Sequence, residues 1–287
     1  MTTKSAKLRL FYPGADIWDG QESLRGKSIL LHAEQGLGDT IQFARYVASI
    51  ERLGASVILE AQKPLVRLLT SLQATSTVIV QGNRLPEFDF HCPLMSLPLA
   101  VGTTLNTIPA ENPYLYADPE NRKAWQKRLG PKPKPRVGLI WSGAVGHAND
   151  KNRSIPLEML ATLLKLDCEY HSIQKGLREG DAECLAKSGI ISHDGGLQDF
   201  LDTASLVMEM DVIISVDTSV AHLAGALGKR VWVMLPFVPD WRWMIEREDS
   251  PWYPSARLFR QPAIGDWQSV IERVKIELAS AAPTFIP

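Results

Sequence analysis

A chain of 287 residues, at about 150 residues per domain, has room for roughly two domains. Its 31 Lys+Arg and 32 Asp+Glu leave a formal charge of −1, and 45% of its residues are hydrophobic. That balance excludes a disordered chain, a collagen-like repeat and a nucleic-acid binder that relies on bulk positive charge. Cys92, Cys168 and Cys184 are too few and too scattered for a disulfide framework or a zinc cluster, so a reducing, cytoplasmic setting is expected. The leader carries Lys4 and Lys7 with no apolar stretch behind them, which argues against a secretory signal. No apolar run approaches the roughly 20 residues that cross a bilayer.

In chain order, Ser28 to Ala33 is a compact apolar run suited to a buried strand. Gly36 and Gly38 follow, and Thr40 to Leu53 shows helical spacing until Gly54 stops it. Ser56 to Glu60 and Thr77 to Val80 read as strands around a helix over Pro64 to Leu72. From Phe88 to Tyr116 prolines interrupt the text, and strand ends and functional loops are expected there. A helix over Asn121 to Leu129 precedes Pro131 to Pro135, whose alternating prolines favour an extended spacer. The pattern then restarts, with strands at Arg136–Trp141, His171–Gln174, Asp211–Val216 and Arg230–Leu235. Helices are expected over Leu157–Leu166, Leu197–Glu209, Ser219–Leu227 and Asp266–Ala279. Strand–helix alternation in both halves predicts two α/β units with parallel sheets, over residues 1–130 and 136–265. The segment 266–287 is expected to pack back across their junction.

In open parallel sheets ligands collect beyond the carboxyl ends of strands. Three segments stand there. In Glu34 to Thr40, Gly36 and Gly38 let the backbone turn and approach a ligand, and Asp39 reads either as a helix cap or as a catalytic carboxylate. A dinucleotide fingerprint fits poorly, because its third glycine falls on Ile41. In the second segment, Ser142 and Gly143 offer backbone amides to phosphate oxygens, and Arg153 is either a bidentate partner for a diphosphate or a surface arginine. In the third, Asp217 ends a buried strand while Thr218 and Ser219 open a helix whose free N–H groups suit an anion. His222 lies one turn on, either packed or functional. Gln174 and Lys175 follow a strand as a nucleotide contact or a plain surface turn. Trp241, Trp243, Trp252 and Tyr253 form a sugar-stacking wall or anchor a loop on the core. The histidines lack metal-ligand spacing, and no cofactor or metal is expected.

Residues 32–46 (HAEQGLGDTIQFARY) and 215–236 (SVDTSVAHLAGALGKRVWVMLP) together resemble the heptosyltransferase-like glycosyltransferases of family 9. The likeness extends to glycosyltransferase-like domains at the C-terminal end of bacterial tetratricopeptide-repeat proteins, through residues 152–158, 172–176, 240–243 and 250–255. The resemblance implies a GT-B architecture, two Rossmann-like domains facing across a cleft, the first for the acceptor and the second for a nucleotide-activated sugar. It implies that Asp39 is the base on an acceptor hydroxyl in a metal-independent, inverting transfer. Donor contacts would come from Ser142, Gly143, Arg153, Gln174, Lys175, Asp217, Thr218, Ser219 and His222. The acceptor-side loop would comprise Gly36, Gly38, Gln42, Trp241 and Arg242. The phosphate loop departs from the Thr and Lys of heptosyltransferases, which argues against an ADP-heptose donor. A glycan, a lipid-linked glycan or a protein remain open as acceptors. The other readings are a non-catalytic nucleotide- or glycan-binding module and a nucleotide-sugar epimerase.

Overall fold

The structure, a computed structural model, describes residues 12, 15–72, 77–109 and 111–285. The leader read above as lacking a signal falls outside the described residues except for Tyr12. Two separate sheets form, each parallel throughout. The first contains β1 (Asp16–Ile17), β2 (Ser28–His32), β3 (Ser56–Ala61), β4 (Thr77–Val80) and β5 (Phe90–Pro93), in the order β1-β5-β2-β3-β4. The second contains β6 (Arg136–Ile140), β7 (Glu169–Ser172), β8 (Ile191–Ser192), β9 (Val212–Val216), β10 (Val231–Leu235) and β11 (Ala256–Arg260). Its order is β11-β10-β9-β6-β7-β8. Strand succession therefore reverses between β6 and β9 in the second sheet and between β2 and β5 in the first. Those switch points are where open α/β sheets leave a crevice for ligands.

The helices include α1 (Leu37–Phe43), α2 (Val47–Arg52), α3 (Pro119–Leu129), α4 (Phe200–Met208), α5 (Ser219–Ala226) and α6 (Trp267–Ala281), of which α1, α4 and α5 border the crevice. The expected helix over 40–53 divides into α1, a 3-10 turn at Ala44–Tyr46 and α2, and it starts earlier because Gly36 is its N-cap. Leu157–Lys165 is a 3-10 helix. Strand β5 sits inside the first sheet, although its text looked irregular. Pro93 is tolerated because it is the last strand residue. Strand β11 escaped the periodicity because Arg257 and Arg260 interrupt a short apolar run at the sheet edge.

Side chains on the two faces of the second sheet go to two cores. Ile213 and Val233 join a core that also contains Ile41, Phe43 and Tyr46 from the first half and Trp243, Trp252 and Tyr253 from the second. Apolar packing thus runs unbroken from one half to the other. Val212, Ile214 and Trp232 face the opposite way, onto a separate core. The final helix belongs to that second core. Its stripe of Val270, Ile271, Val274 and Leu278 covers the sheet face beside β11, and Arg257 pairs with Glu277 at 2.5 Å. It does not return across the junction as expected, because the stripe finds its apolar partner on its own sheet. The proline spacer is likewise clamped: Arg136 Nη2 donates to the carbonyls of Leu129, Gly130 and Pro131, and Lys132 pairs with Asp211 at 2.8 Å. Helix α3 packs on α4, with Arg122 Nε 2.9 Å from Glu209 Oε1. Among the described residues, no helix is long and apolar enough to cross a membrane.

Two buried histidine pairs cross-link strand ends. His32 Nε2 lies 3.3 Å from His91 Nδ1, and His171 Nδ1 lies 2.9 Å from His193 Nε2 with the rings stacked. Burial first, and then the neighbouring His91 for His32, Arg136 for His171, and His171 and Arg128 for His193, hold His32 down to about 3 and His171 and His193 down to about 4. Folded rings stay neutral there, whereas the unfolded chain protonates them below about 6.5. The unfolded state then binds more protons, so stability falls as pH drops from 6.5 toward 4, by about 1.4 kcal/mol per pH unit per histidine. Urea midpoints measured between pH 7.5 and 4.5 should decline over this window, with a shallower slope in His171→Gln.

Candidate active site

After β2 the chain turns through Gly36 into α1. Asp39 is the third residue of that helix, and its Oδ2 accepts the Gly36 N–H at 2.8 Å. Asp39 is therefore not the N-cap residue; it satisfies the helix start from inside the first turn. Its Oδ1 accepts from Arg242 Nη2, which arrives from the 3-10 turn Trp241–Trp243 of the second half. Arg242 also donates Nε to Gln42 Oε1 at 2.6 Å and Nη1 to Asp240 Oδ1 at 2.9 Å.

Gly38 has a packing role. A Cβ there would stand 2.9 Å from His222 Cδ2 and 3.5 Å from the Ser219 Cα, so the missing side chain lets α1 lie against α5. His222 is held by Tyr253, whose hydroxyl is 2.9 Å from Nδ1, and its ring stacks on Trp243 at 5.3 Å. Burial, reinforced by the charges of Arg242, Arg45 and Arg153, lowers its pKa to about 3, so the ring is neutral at working pH.

Ser142 and Gly143 follow β6, and Asp217 and Thr218 follow β9, on either side of the switch point. The loop amides are already used: Ser142 N–H donates to Gln174 Oε1 at 3.1 Å and Gly143 N–H to Ser154 Oγ at 3.0 Å. The phosphate-cradling role expected for those amides does not fit this arrangement. Other donors make no hydrogen bond among the described residues, although Arg153 Nε lies 3.8 Å from Asp150 Oδ1. Ser142 Oγ and Arg153 Nε are buried without a hydrogen-bond partner among the described residues. The Ser219 and Val220 amides, first in α5, likewise find no acceptor among the described residues. Gly143 leaves the room that Arg153 occupies, since a Cβ there would meet the guanidinium at 2.5 Å. Arg153 Nη1 donates to the Asp217 carbonyl at 2.9 Å. Burial pushes the Asp217 carboxyl above the ordinary aspartate range, and its Oδ1 lies 4.0 Å from His222 Nε2.

These groups face one cavity of about 660 Å³ between the halves. From the first half, Gly36, Gly38 and Asp39 line it. From the second come Ser142, Gly143, Arg153, Gln174 and Lys175, then Asp217, Thr218, Ser219, His222 and Arg242. Two candidate residues stand outside. Gln42 is buried behind Arg242, and Trp241 is 57% exposed with the Arg242 guanidinium 4.6 Å from its ring centroid. Trp243, Trp252 and Tyr253 are buried anchors rather than a sugar-stacking wall. Lys175 Nζ donates to the Gln198 carbonyl.

Sequence reasoning missed four contributors. Asp240 and Asp199 line the cavity; Asp199 caps α4 and pairs with Arg67 of the first half at 2.8 Å. Their signal was a capping aspartate before a helical turn. Arg178 and Asp150 pair at 2.5 Å and brace the Gly143 loop through Ser154, a long-range arrangement with no local signature.

No family model matches the chain. It is 28% identical over 295 residues to Protein FlbA of Caulobacter vibrioides, across 92% of this chain and 48% of that protein; the chain thus spans about half the length of the relative it matches. Among solved structures it is similar to a glycosyl transferase of family 9 from Veillonella parvula, with a TM-score of 0.63 and 11% identity, over 90% of this chain and 98% of that one. It is similar to ADP-heptose LPS heptosyltransferase II of E. coli, with a TM-score of 0.63 and 15% identity, over 88% and 98%. E. coli heptosyltransferase WaaC with ADP gives a TM-score of 0.57 at 11% identity, over 90% and 99%. The structural neighbours are thus the group that the sequence resembled, and the chain has their GT-B fold.

The α1–α5 contact makes Gly38 a sensitive position. Gly38→Ala gains helix propensity of about 1 kcal/mol but forces the clamped His222 ring aside, an overpacking cost of about 1–3 kcal/mol. The variant should be less stable than the parent in urea denaturation; an unchanged or higher midpoint would show that the helices can part freely.

Proposed function

We propose that this protein is a glycosyltransferase that moves a sugar from a nucleotide-activated donor to an acceptor hydroxyl, with inversion and without a metal. The observation that carries the reading is a set of donors on residues lining the cavity with Asp39 that make no hydrogen bond among the described residues: the buried Ser142 Oγ and Arg153 Nε, and the half-buried first amides of α5. Buried donors left unpaired cost stability, so such a set suits a ligand rich in acceptor oxygens. A diphosphate meets that description, and the helix start and Arg153 supply positive potential as the departing group gains charge. That compensation is why the transfer needs no bound cation on this reading.

Asp39 is the proposed base. A carboxylate offers about four lone-pair sites, so two engaged contacts leave capacity for an acceptor hydroxyl. The hydroxyl proton passes to Asp39 as its oxygen attacks the anomeric carbon, and the bond to the nucleoside diphosphate breaks on the opposite face. Burial raises the Asp217 carboxyl above the ordinary aspartate range, and the neutral His222 ring brings no charge to the wall. A glycan, a lipid-linked glycan or a protein hydroxyl supplies the acceptor, and three free cysteines are in keeping with a cytoplasmic setting.

A melting screen with nucleoside diphosphates and their sugars tests the donor site, because a ligand of the folded state raises Tm by mass action. Arg153→Ala should weaken the best ligand at least tenfold. Asp39→Asn should retain ligand binding and lose turnover by about 10²–10⁴-fold. A flat screen would reject the donor site, and full turnover in Asp39→Asn would reject the base. Binding without product across acceptors would favour a binding module, and an altered sugar without acceptor an epimerase.

A further inference from the structure

Arg242 lies on the cavity wall but differs in kind from Arg153. Arg153 keeps a buried Nε with no hydrogen bond among the described residues, 3.8 Å from Asp150 Oδ1, whereas the Arg242 guanidinium is bound on all three nitrogens by Gln42, Asp240 and Asp39. Asp240 additionally accepts the Arg242 backbone N–H at 3.1 Å, and the Trp241 ring lies under the guanidinium. Arg242 is 7% exposed. It is a fixed structural cation, poorly placed to be surrendered to a phosphate.

From these contacts we infer that Arg242 is a positioning residue: it reaches across the junction and sets the orientation of the Asp39 carboxylate, with Gln42 as its anchor. The inference rests on the reading of Asp39 as the base. The carboxylate is held from two sides, by the Gly36 N–H on Oδ2 and by Arg242 on Oδ1, so rotation about its final bond is restrained. The second restraint comes from a residue 203 positions later in the chain. Base geometry is therefore complete only when the two halves are docked, and Gln42, one helical turn after Asp39, ties the guanidinium to α1 itself. A misplacement of about 1 Å at a reacting group costs about 10²-fold in rate.

The test uses the full chain and the nucleotide sugar giving the largest melting shift, with release of nucleoside diphosphate followed as turnover. Arg242→Gln should lower kcat about 10²-fold, while the donor KM and the calorimetric affinity for the nucleoside diphosphate stay within about twofold. Arg242→Lys should restore part of the loss. Gln42→Ala, which keeps both charges, should lower kcat several-fold with the same unchanged affinity, and it reports even if the arginine variants fold poorly. The Asp39→Asn/Arg242→Gln double variant should be no slower than Asp39→Asn. Losses that multiply in the double variant would overturn the proposal, as would a tenfold fall in diphosphate affinity in Arg242→Gln, which would make it a donor ligand. Full activity in Asp39→Asn fails differently: it removes the base on which the proposal stands.

Discussion

The close approach of α1 to α5 governs the site. Only a glycine at position 38 permits it, because a methyl group there would press into the His222 ring, and that ring is itself held by Trp243 and Tyr253. With the two helices in contact, the apolar core continues from one half into the other. The cavity is what remains where the two sheets' switch points face each other. Ion pairs reach across beside it, Arg242 with Asp39 and Arg67 with Asp199. The Arg242–Asp39 pair is mostly buried and so depends on geometry more than on salt, whereas Arg67 is 54% exposed and its pair is open to screening.

Four aspartates stand on the cavity wall, and each is engaged or perturbed by its surroundings. Asp39 and Asp240 share Arg242, Asp199 is spent on a helix cap and Arg67, and burial raises Asp217. What stays available is donor capacity: a hydroxyl, a guanidinium nitrogen and the amides of a helix start. The Ser142 and Gly143 amides are not available because Gln174 and Ser154 already occupy them. The Gly143 loop serves by shape, leaving space for Arg153.

Much of the fold was readable in advance. Strands such as Ser28–His32 and Val231–Leu235 are buried on both faces of parallel sheets and so appear as unbroken apolar runs. Strand β5 was not readable, because it is short, ends in proline and owes its place to partners on both sides. The course of α6 was also misjudged. An apolar stripe states that a helix must be covered but not by which sheet.

For the site, local chemistry was enough to nominate Asp39 and Asp217, near strand-to-helix turns, and Arg153 and His222, in the helical turns that follow. Local chemistry could not say that Gly38 is spaced for His222, that Trp241 turns outward, or that Arg242 bonds Asp39 rather than a ligand. Those facts depend on residues about 200 positions apart meeting across the junction. By itself the chain determined which segments become strands and helices, through the spacing of apolar residues and the placing of glycine and proline. Only the docking of the two halves decided which polar groups pair and which remain open, because hydrogen bonds and ion pairs form by distance in space, not by position along the chain.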